Sequence, residues 1–376
     1  MKFSVKPDVF NEAISEAVKG AASKATFPVL QGLLIASDGR EVTLTGTDLE
    51  VCVQRSFEPE VAEPGKAVLP AKLLQAMVGK LHGTDLLTVS WDDEKNVGEL
   101  LHNRHRSKLH GYPPDQYPTI PEAQGDPVLT LPSQRWRDIL TRAVIAAADD
   151  DKSRSYLNGV HLALLPAEGR SVLTATATDS ARIAHIRQDG PAASRPYEVI
   201  IPQTAIGLLT NLLPDTAEPV SMYEADKQVM WVCGDRAILS RTLDGQYPDL
   251  MRLVPQQFAV SIRADRRALL ECIQRVVPVT KGSAVKWTIN SDPEPLLSLD
   301  ASGPEIGEAH DAMPVEVEAM DEPLVISFNA RYMIEGLKSM SEDEVTLQFS
   351  GARNPARILD GGDESRQYVA LPLITY

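Results

Sequence analysis

The chain has 376 residues, more than one ordinary hydrophobic core supports, and its 43% hydrophobic and 24% charged content fits several folded domains. No apolar run approaches the roughly 18 residues of a membrane span, and the opening Met1-Lys2-Phe3-Ser4-Val5 lacks a secretory core, so no membrane partner and a cytoplasmic, nucleoid-associated address are expected. Cys52, Cys233 and Cys272 lie far apart with no Cys-x-x-Cys pair, which excludes a disulfide framework, while a net charge of −15 argues against nucleic acid unless the cations are segregated.

In chain order, Val5, Val9, Phe10, Ala13, Ile14, Ala17 and Val18 recur at helical spacing, with Pro7 placed for a helix's first turn. Residues 42–48 alternate as a strand does, and a second helix is predicted to open at Leu69-Pro70-Ala71 and to end near Leu81. A proline-rich segment, 111–127, contains Gln116-Tyr117-Pro118 and reads as a connector. The plan then repeats. Leu131, Trp136, Ile139, Leu140, Ala143 and Val144 form a helical stripe, with Pro132 at its start, and residues 172–179 read as a strand. A helix opens at Ile201-Pro202-Gln203, and a connector over 243–255 holds Gln246-Tyr247-Pro248. A third copy has Ile262, Leu269, Leu270, Ile273 and Val276, then strand-like 296–300, then a helix from Phe328-Asn329-Ala330. Recurrence at about 130 residues in one order predicts three α+β domains of one kind, at 1–125, 126–256 and 257–376.

Charge follows the same division. The six helical windows hold thirteen Lys and Arg against seven Asp and Glu, a net of +6 in a chain whose total is −15. Basic helices on an acidic body attract phosphate without reading bases.

The opening Met1-Lys2-Phe3, the run Leu44-Thr45-Gly46-Thr47-Asp48, Tyr156-Leu157-Asn158-Gly159, Ala177-Thr178-Asp179-Ser180-Ala181-Arg182, Tyr247-Pro248-Asp249 and Tyr368-Val369-Ala370-Leu371-Pro372-Leu373 carry a resemblance. Over the whole chain, and in motif order, it resembles the bacterial DNA polymerase III β-subunit family, the sliding clamps. The resemblance implies a head-to-tail homodimer whose six clamp domains close a ring, with two helices per domain facing the hole and antiparallel sheets outside. It implies a non-catalytic processivity factor that encircles duplex DNA, needs no cofactor and no metal, and is placed by a clamp loader. Twelve helices about 10 Å apart make a circle roughly 38 Å across at their axes, which leaves about 28 Å of bore. A duplex about 20 Å wide passes with room for water.

For DNA contact the favoured cations are Lys24, Lys72, Arg135, Arg137, Arg154, Arg266, Arg267 and Lys338; Lys24 and Arg154 fall where the family carries basic contacts. A solvated surface charge is the competing reading of each. Gln203 and Gln246 depart from the Arg that some members place there. The resemblance also implies a pocket for a partner's peptide, made by Leu157, Thr178, Ser180, Ala181, Arg182, Ile183, Pro248, Arg252, Leu253, Leu371, Pro372, Leu373 and Ile374. Its implied users are the replicative polymerase subunit, translesion and repair polymerases, ligase and mismatch-repair proteins. An ordinary core role is the alternative for Leu157, Ile183 and Leu253. Ser180-Ala181, in place of the Gly-His of some relatives, and the Thr375-Tyr376 end point to a shifted peptide preference. Arg104, Arg106 and Lys108, on an edge-like strand, are expected to face Glu305 and Glu308 across the dimer seam, beside an apolar strip.

An enzyme is the main rival. Asp149-Asp150-Asp151 suggests a metal site, and so do His102, His105 and His110, but the aspartates follow a helix end and the histidines lie in a basic strand-like run. No Walker loop, Gly-x-Ser-x-Gly elbow or dinucleotide fingerprint is present. A protein-binding scaffold on the same fold is the second rival.

Overall fold

The computed structural model describes residues 1–24, 26–193, 195–225, 227–280, 284–303, 305–320 and 322–374, so the Thr375-Tyr376 end lies outside the described residues. Its elements run three times through one order. First come β1 (Lys2–Val5), α1 (Pro7–Ala17), β2 (Gly32–Ser37), β3 (Val42–Thr47), β4 (Val51–Phe57), β5 (Val61–Glu63), β6 (Gly65–Pro70), α2 (Ala71–Val78), β7 (Leu87–Asp92), β8 (Val97–His102) and β9 (His105–His110). The second series is β10 (Leu129–Pro132), α3 (Ser133–Val144), β11 (Gly159–Ala167), β12 (Arg170–Thr178), β13 (Arg182–Gly190), β14 (Tyr197–Pro202), α4 (Gln203–Leu212), β15 (Pro219–Ala225), β16 (Gln228–Cys233) and β17 (Arg236–Arg241). The third is β18 (Val260–Asp265), α5 (Arg266–Val276), β19 (Ala284–Asn290), β20 (Leu296–Gly303), β21 (Gly307–Pro314), β22 (Glu316–Met320), β23 (Leu324–Asn329), α6 (Ala330–Ser339), β24 (Glu344–Phe349), β25 (Ala356–Asp360) and β26 (Asp363–Ala370).

All six expected helices form, each shorter than its apolar stripe. Val5, Leu131 and Ile262 belong to the strands that feed the first helix of each repeat. An inward residue of a strand that runs straight into a helix extends the helical stripe backwards, so periodicity alone misses the junction. Pro132 accordingly closes β10, and α3 begins at Ser133. In α1 the buried positions are Pro7, Phe10, Ala13, Ile14 and Ala17, one face of a helix. Beneath its end passes Gly46 of β3, where a Cβ would lie 2.1 Å from the Ala17 carbonyl oxygen; only glycine permits that approach.

The chain divides into two compact units. One is Met1–Arg137 with Gly207–Thr242, the other Asp138–Ile206 with Leu243–Tyr376. The first holds a five-stranded sheet, β5-β1-β7-β8-β9, and an eight-stranded sheet, β10-β15-β16-β17-β4-β3-β2-β6. Its core includes Phe3, Phe10 and Phe57 edge to face, with centroids 5.4 to 6.0 Å apart, and Trp136 against Trp231 at 6.4 Å. The second holds a nine-stranded sheet, β14-β11-β12-β13-β26-β25-β24-β18-β22, and a four-stranded one, β21-β20-β19-β23. Trp287 packs on Phe328 within it at 5.5 Å.

The two large sheets each join consecutive repeats. β17 pairs antiparallel with β4, setting Arg236 opposite Arg55, and β26 pairs with β13, setting Arg366 opposite Ile186. Ions sit at both joints. The Glu16 carboxylate of α1 meets Arg55 Nε at 3.0 Å and Arg236 Nε at 2.9 Å. At the other joint Asp138 of α3 meets Arg366 at 3.3 Å, and buried Asp360 meets it at 3.4 Å. The corresponding strands at the two ends of the series, β9 and β21, are sheet edges.

Candidate functional site

A turn built by Thr178 and Asp179 opens the β13–β26 joint. Thr178 Oγ1 donates to the Arg182 carbonyl at 2.6 Å and accepts from Ser180 N–H at 3.0 Å. Asp179 Oδ1 accepts from the backbone N–H of Ala181 and Arg182 at 2.9 and 3.1 Å. The geometry forces Ser180 to φ +77°, a region that favours glycine, which is why a Gly suits this position. Ladder pairing sets Ile183 opposite Val369, and Leu371 N–H continues past the strand's end to the Ala181 carbonyl at 2.9 Å. Leu373 N–H then donates to Ser327 at 2.7 Å.

Ile183, Val369, Leu250 and Val254 form one buried apolar cluster, with Tyr247 and Met251 packed on it. Around it stand exposed apolar side chains: Leu253 at 65%, Ile374 at 61%, Leu371 at 44% and Leu373 at 37%. Four of the fourteen exposed large apolar side chains among the described residues thus gather at one joint, the signature of a surface awaiting a partner. Pro248 is exposed next to Tyr247, Ala181 and Pro372 are half-buried on either side of the Leu371–Ala181 hydrogen bond, and Leu157 is buried in the short turn Ser155–Leu157.

Two charged members play different parts. Arg252 is 84% exposed and ion-paired to Asp249 at 2.7 Å, so it stands at the rim. Arg182 is only 6% exposed; it meets Asp179 at 2.9 Å, binds Glu335, and lies over the Tyr332 ring at 4.3 Å. It holds the turn against α6. Residues missed in the sequence are those that seat the patch. Tyr247 stacks on His161 at 5.0 Å and meets Tyr156 edge-on at 6.3 Å, and burial pushes its phenol up. The signal was available, since Gln246-Tyr247-Pro248 duplicates Gln116-Tyr117-Pro118, whose Tyr117 hydroxyl donates to the Thr45 carbonyl at 2.9 Å.

The first joint serves as an internal control. Thr47 and Asp48 build the same turn, with Leu49 at φ +79°, and Arg241 N–H reaches the Glu50 carbonyl at 2.9 Å as Leu371 reaches Ala181. There the corresponding side chains form a Glu50–Arg241 ion pair at 3.3 Å, where the second joint presents Ala181 and Leu371. One backbone arrangement is therefore salt-bridged in one place and apolar in the other.

The basic candidates are also of two kinds. Lys24, Lys72, Arg267 and Lys338 are exposed, Lys24 just past α1, Lys72 on α2, Lys338 on α6, and Arg267 on α5 at 3.5 Å from Asp343. Arg135 of α3 is half-buried. Arg137 donates to the carbonyls of Thr210 and, at 2.8 Å, Leu213, closing the end of α4, and Arg266 donates to the Glu342 carbonyl at 2.6 Å. Arg154 donates to Asp151 at 2.9 Å and to the Ser180 hydroxyl at 3.0 Å. The Ser153 hydroxyl and then the Arg154 backbone N–H hold the Asp151 carboxyl down to about 2. Gln203 donates to the Ala148 and Asp149 carbonyls, both at 3.1 Å.

Among the described residues no group of three or more His, Cys, Asp and Glu is placed to hold a metal ion, and no helix is long and apolar enough to cross a membrane. Arg104 lies between β8 and β9, Arg106 and Lys108 on edge strand β9, Glu308 on edge strand β21, and Glu305 just before it.

Residues 1–121 match the family model described as DNA polymerase III beta subunit, N-terminal domain, residues 130–249 its central domain, and residues 251–374 its C-terminal domain. The chain is 29% identical to a beta sliding clamp of Staphylococcus aureus, over 100% of both chains. It is similar to the solved DNA polymerase sliding clamp of Bacillus subtilis, with TM-score 0.93 and 27% identity, and to the DNA polymerase III subunit beta of Pseudomonas aeruginosa, with TM-score 0.92 and 25% identity, each over 100% of both chains. A further P. aeruginosa sliding clamp, bound to griselimycin, has TM-score 0.91 and 25% identity.

Proposed function

The chain belongs to the DNA polymerase III beta subunit family, and on that premise we propose that two copies close head to tail into a ring that encircles duplex DNA and tethers the replicative polymerase. The observation that carries this reading is the threefold repeat itself, complete in order and extent, with the β9 and β21 edges left for a second copy. Three domains, at 1–125, 126–256 and 257–376, then contribute two helices each to the bore. The protein acts without catalysis of its own. Holding DNA by topology and a polymerase by a peptide makes the reaction processive, and the chemistry stays with the polymerase.

The protein loaded on nicked circular DNA by a clamp loader should remain bound through gel filtration and be lost when the circle is linearised. Equal retention on both forms would point to adhesion, and the reading would give way to a scaffold that shares the fold.

Inside the ring the exposed cations face phosphate. Changing Lys24 and Arg154 together to Ala should weaken binding to primed circular DNA and flatten its salt dependence. Each lost phosphate contact takes about 0.9 from the slope of log K against log salt, and a ring loses four cations. The log–log plot is the check, and an unchanged slope would remove both residues from the bore.

The patch at the β13–β26 joint takes the partner's peptide. Leu253, Leu371, Leu373 and Ile374 desolvate its large side chains, Arg252 meets its carbonyls or carboxylates, and Arg182 keeps the turn beneath it in place. Repair and translesion polymerases, ligase and mismatch-repair proteins share this one surface. As soluble replication partners they place the protein in the cytoplasm at the nucleoid.

A further inference from the structure

The three repeats allow the seam between copies to be read residue by residue. Start in each repeat at the residue four before the first helix and step across the ladders. The rows are Phe3, Val89, Leu100, Ser107; then Leu129, Met222, Trp231, Ile238; then Ile262, Leu347, Ile358, Tyr368. Ser107, Ile238 and Tyr368 are therefore equivalent. The residue four before the second helix gives Ala67, Ile35, Leu44, Arg55; then Val199, Leu162, Ala175, Ile186; then Ile326, Trp287, Leu299, Asp311. Arg55, Ile186 and Asp311 are likewise equivalent.

Both joints within the chain obey one register. Ile238 pairs with Val53 and Tyr368 with Ala184, each two residues before its reference position. The same rule carried to the free edges sets Ser107 of one copy against Ala309 of the other. It then sets His105 against Asp311, Lys108 against Glu308, and Arg106 against His310. An unpaired edge strand is a ready template for another strand, and the Lys–Glu match follows from the register without having been used to choose it.

The consequence lies at His105. Its equivalents at the two internal joints are Arg236 and Arg366, permanent cations held by Glu16 and by Asp138 and Asp360. We propose that, with ring closure on the reading given above setting β9 against β21 in this register, His105 supplies its cation only when protonated, so that the strength of the seam depends on pH across the imidazole range.

The groups around His105 in its own copy are His102 opposite it on β8, Arg104 and Arg106 beside it in the chain, Arg106 being held by Glu99, and Ser107, whose hydroxyl lies 2.7 Å from its Nε2. The second copy brings Asp311, with Arg275 Nε donating to it at 2.5 Å, and Glu271 of α5 at 3.6 Å from Arg275. Without a proton on His105, this set from the second copy carries one net negative charge; with it, the set is balanced. The hydrogen bond from Arg275 holds the Asp311 carboxyl below the usual carboxylate range, so it remains ionised while imidazole titrates. Association raises the affinity of His105 for its proton. Closure is therefore strengthened in full below the free histidine's range and weakens as pH rises through the raised one.

The test uses the full-length chain. Ser107→Cys with Ala309→Cys should oxidise to a dimer closed by two disulfides, since opposed residues in a ladder stand about 4.5–5.5 Å apart. Ser107→Cys with Asp311→Cys, two residues out of register, should not. By sedimentation, the dimer dissociation constant should rise from pH 6 to pH 8.5 by up to about tenfold for each seam and each unit of proton-affinity change, about a hundredfold for the ring's two seams. His105→Arg should keep the ring closed with a flat pH profile, and His105→Gln should leave it weak and flat. A dimer that locks in the shifted register, that tightens as pH rises, or that keeps its pH dependence in His105→Arg overturns the inference while leaving the ring intact. No dimer at any pH overturns the ring reading itself.

Discussion

Exchanging Leu373 and Ile374 together for Asp is expected to weaken binding of a polymerase-derived peptide by at least about a hundredfold while leaving the fold unchanged. Both side chains are exposed, so the folded chain loses little buried apolar area. The hydrogen bond from Leu373 N–H to Ser327 belongs to the backbone and survives the substitution. A bound peptide, in contrast, would lose two apolar contacts and meet two carboxylates that it must desolvate. Central contacts of this kind cost about 2 kcal/mol or more each, and about 1.4 kcal/mol is tenfold. The first joint supplies the control. Leu49 occupies the matching turn there and is 47% exposed, so Leu49→Asp should leave the affinity unchanged. Fluorescence anisotropy of the labelled peptide, beside a melting curve for each variant, decides the matter. A folded Leu373→Asp, Ile374→Asp variant that still binds normally would move the site elsewhere.

What the sequence made legible was local. The buried stripe of Phe10, Ala13, Ile14 and Ala17 announces a helix because every residue in it points the same way, and the repeat announces itself because three such stripes recur in one order. The pairings of β4 with β17 and of β13 with β26 left no local trace. Their partners are separated by about 180 residues, and alternation says only that each strand has two faces. Charged residues misled for a related reason. Beside a turn, Arg182 reads as a surface cation, yet Glu335 and Tyr332, some 150 residues along the chain, bury it. Arg137 likewise reads as a phosphate contact, but its donors close the end of α4. The peptide patch came from resemblance, since neither spacing nor composition marks Leu371, Leu373 or Ile374 as exposed. Comparing the two joints explains why the patch occurs once: Glu50 and Arg241 occupy the alternative place.

Replacing Asp360 is expected to be the most damaging single change near the site, although it lies behind the patch. Its carboxylate is 1% exposed and accepts from the backbone N–H of Ser341 and Glu342 at 2.9 and 2.8 Å, and from the Ser341 hydroxyl at 2.8 Å. Arg366 stands 3.4 Å away and Arg142 3.7 Å. Asp360→Ala would leave the Ser341 and Glu342 donors without their acceptor and leave the Arg142 and Arg366 guanidinium groups to share Asp138, at a cost of about 3–5 kcal/mol. In a unit of this size that corresponds to a fall in melting temperature of roughly 10 °C. Burial pushes the Asp360 carboxyl up, but the hydrogen bonds from Glu342 and Ser341 outweigh it and leave the group below the usual carboxylate value. A lowered folded value means that the stabilisation is complete above the unfolded pKa of about 3.9 and is lost as pH falls through the folded one. The gap in melting temperature between the wild type and Asp360→Asn should therefore be full at pH 7 and should narrow as pH falls below about 3.9 toward the lowered folded value. Because Arg366 stands on the strand that carries Val369 and leads to Leu371, peptide binding by the variant should fail on heating before helix is lost, whereas binding that survives to the main melt would show that β26 is held without this carboxylate.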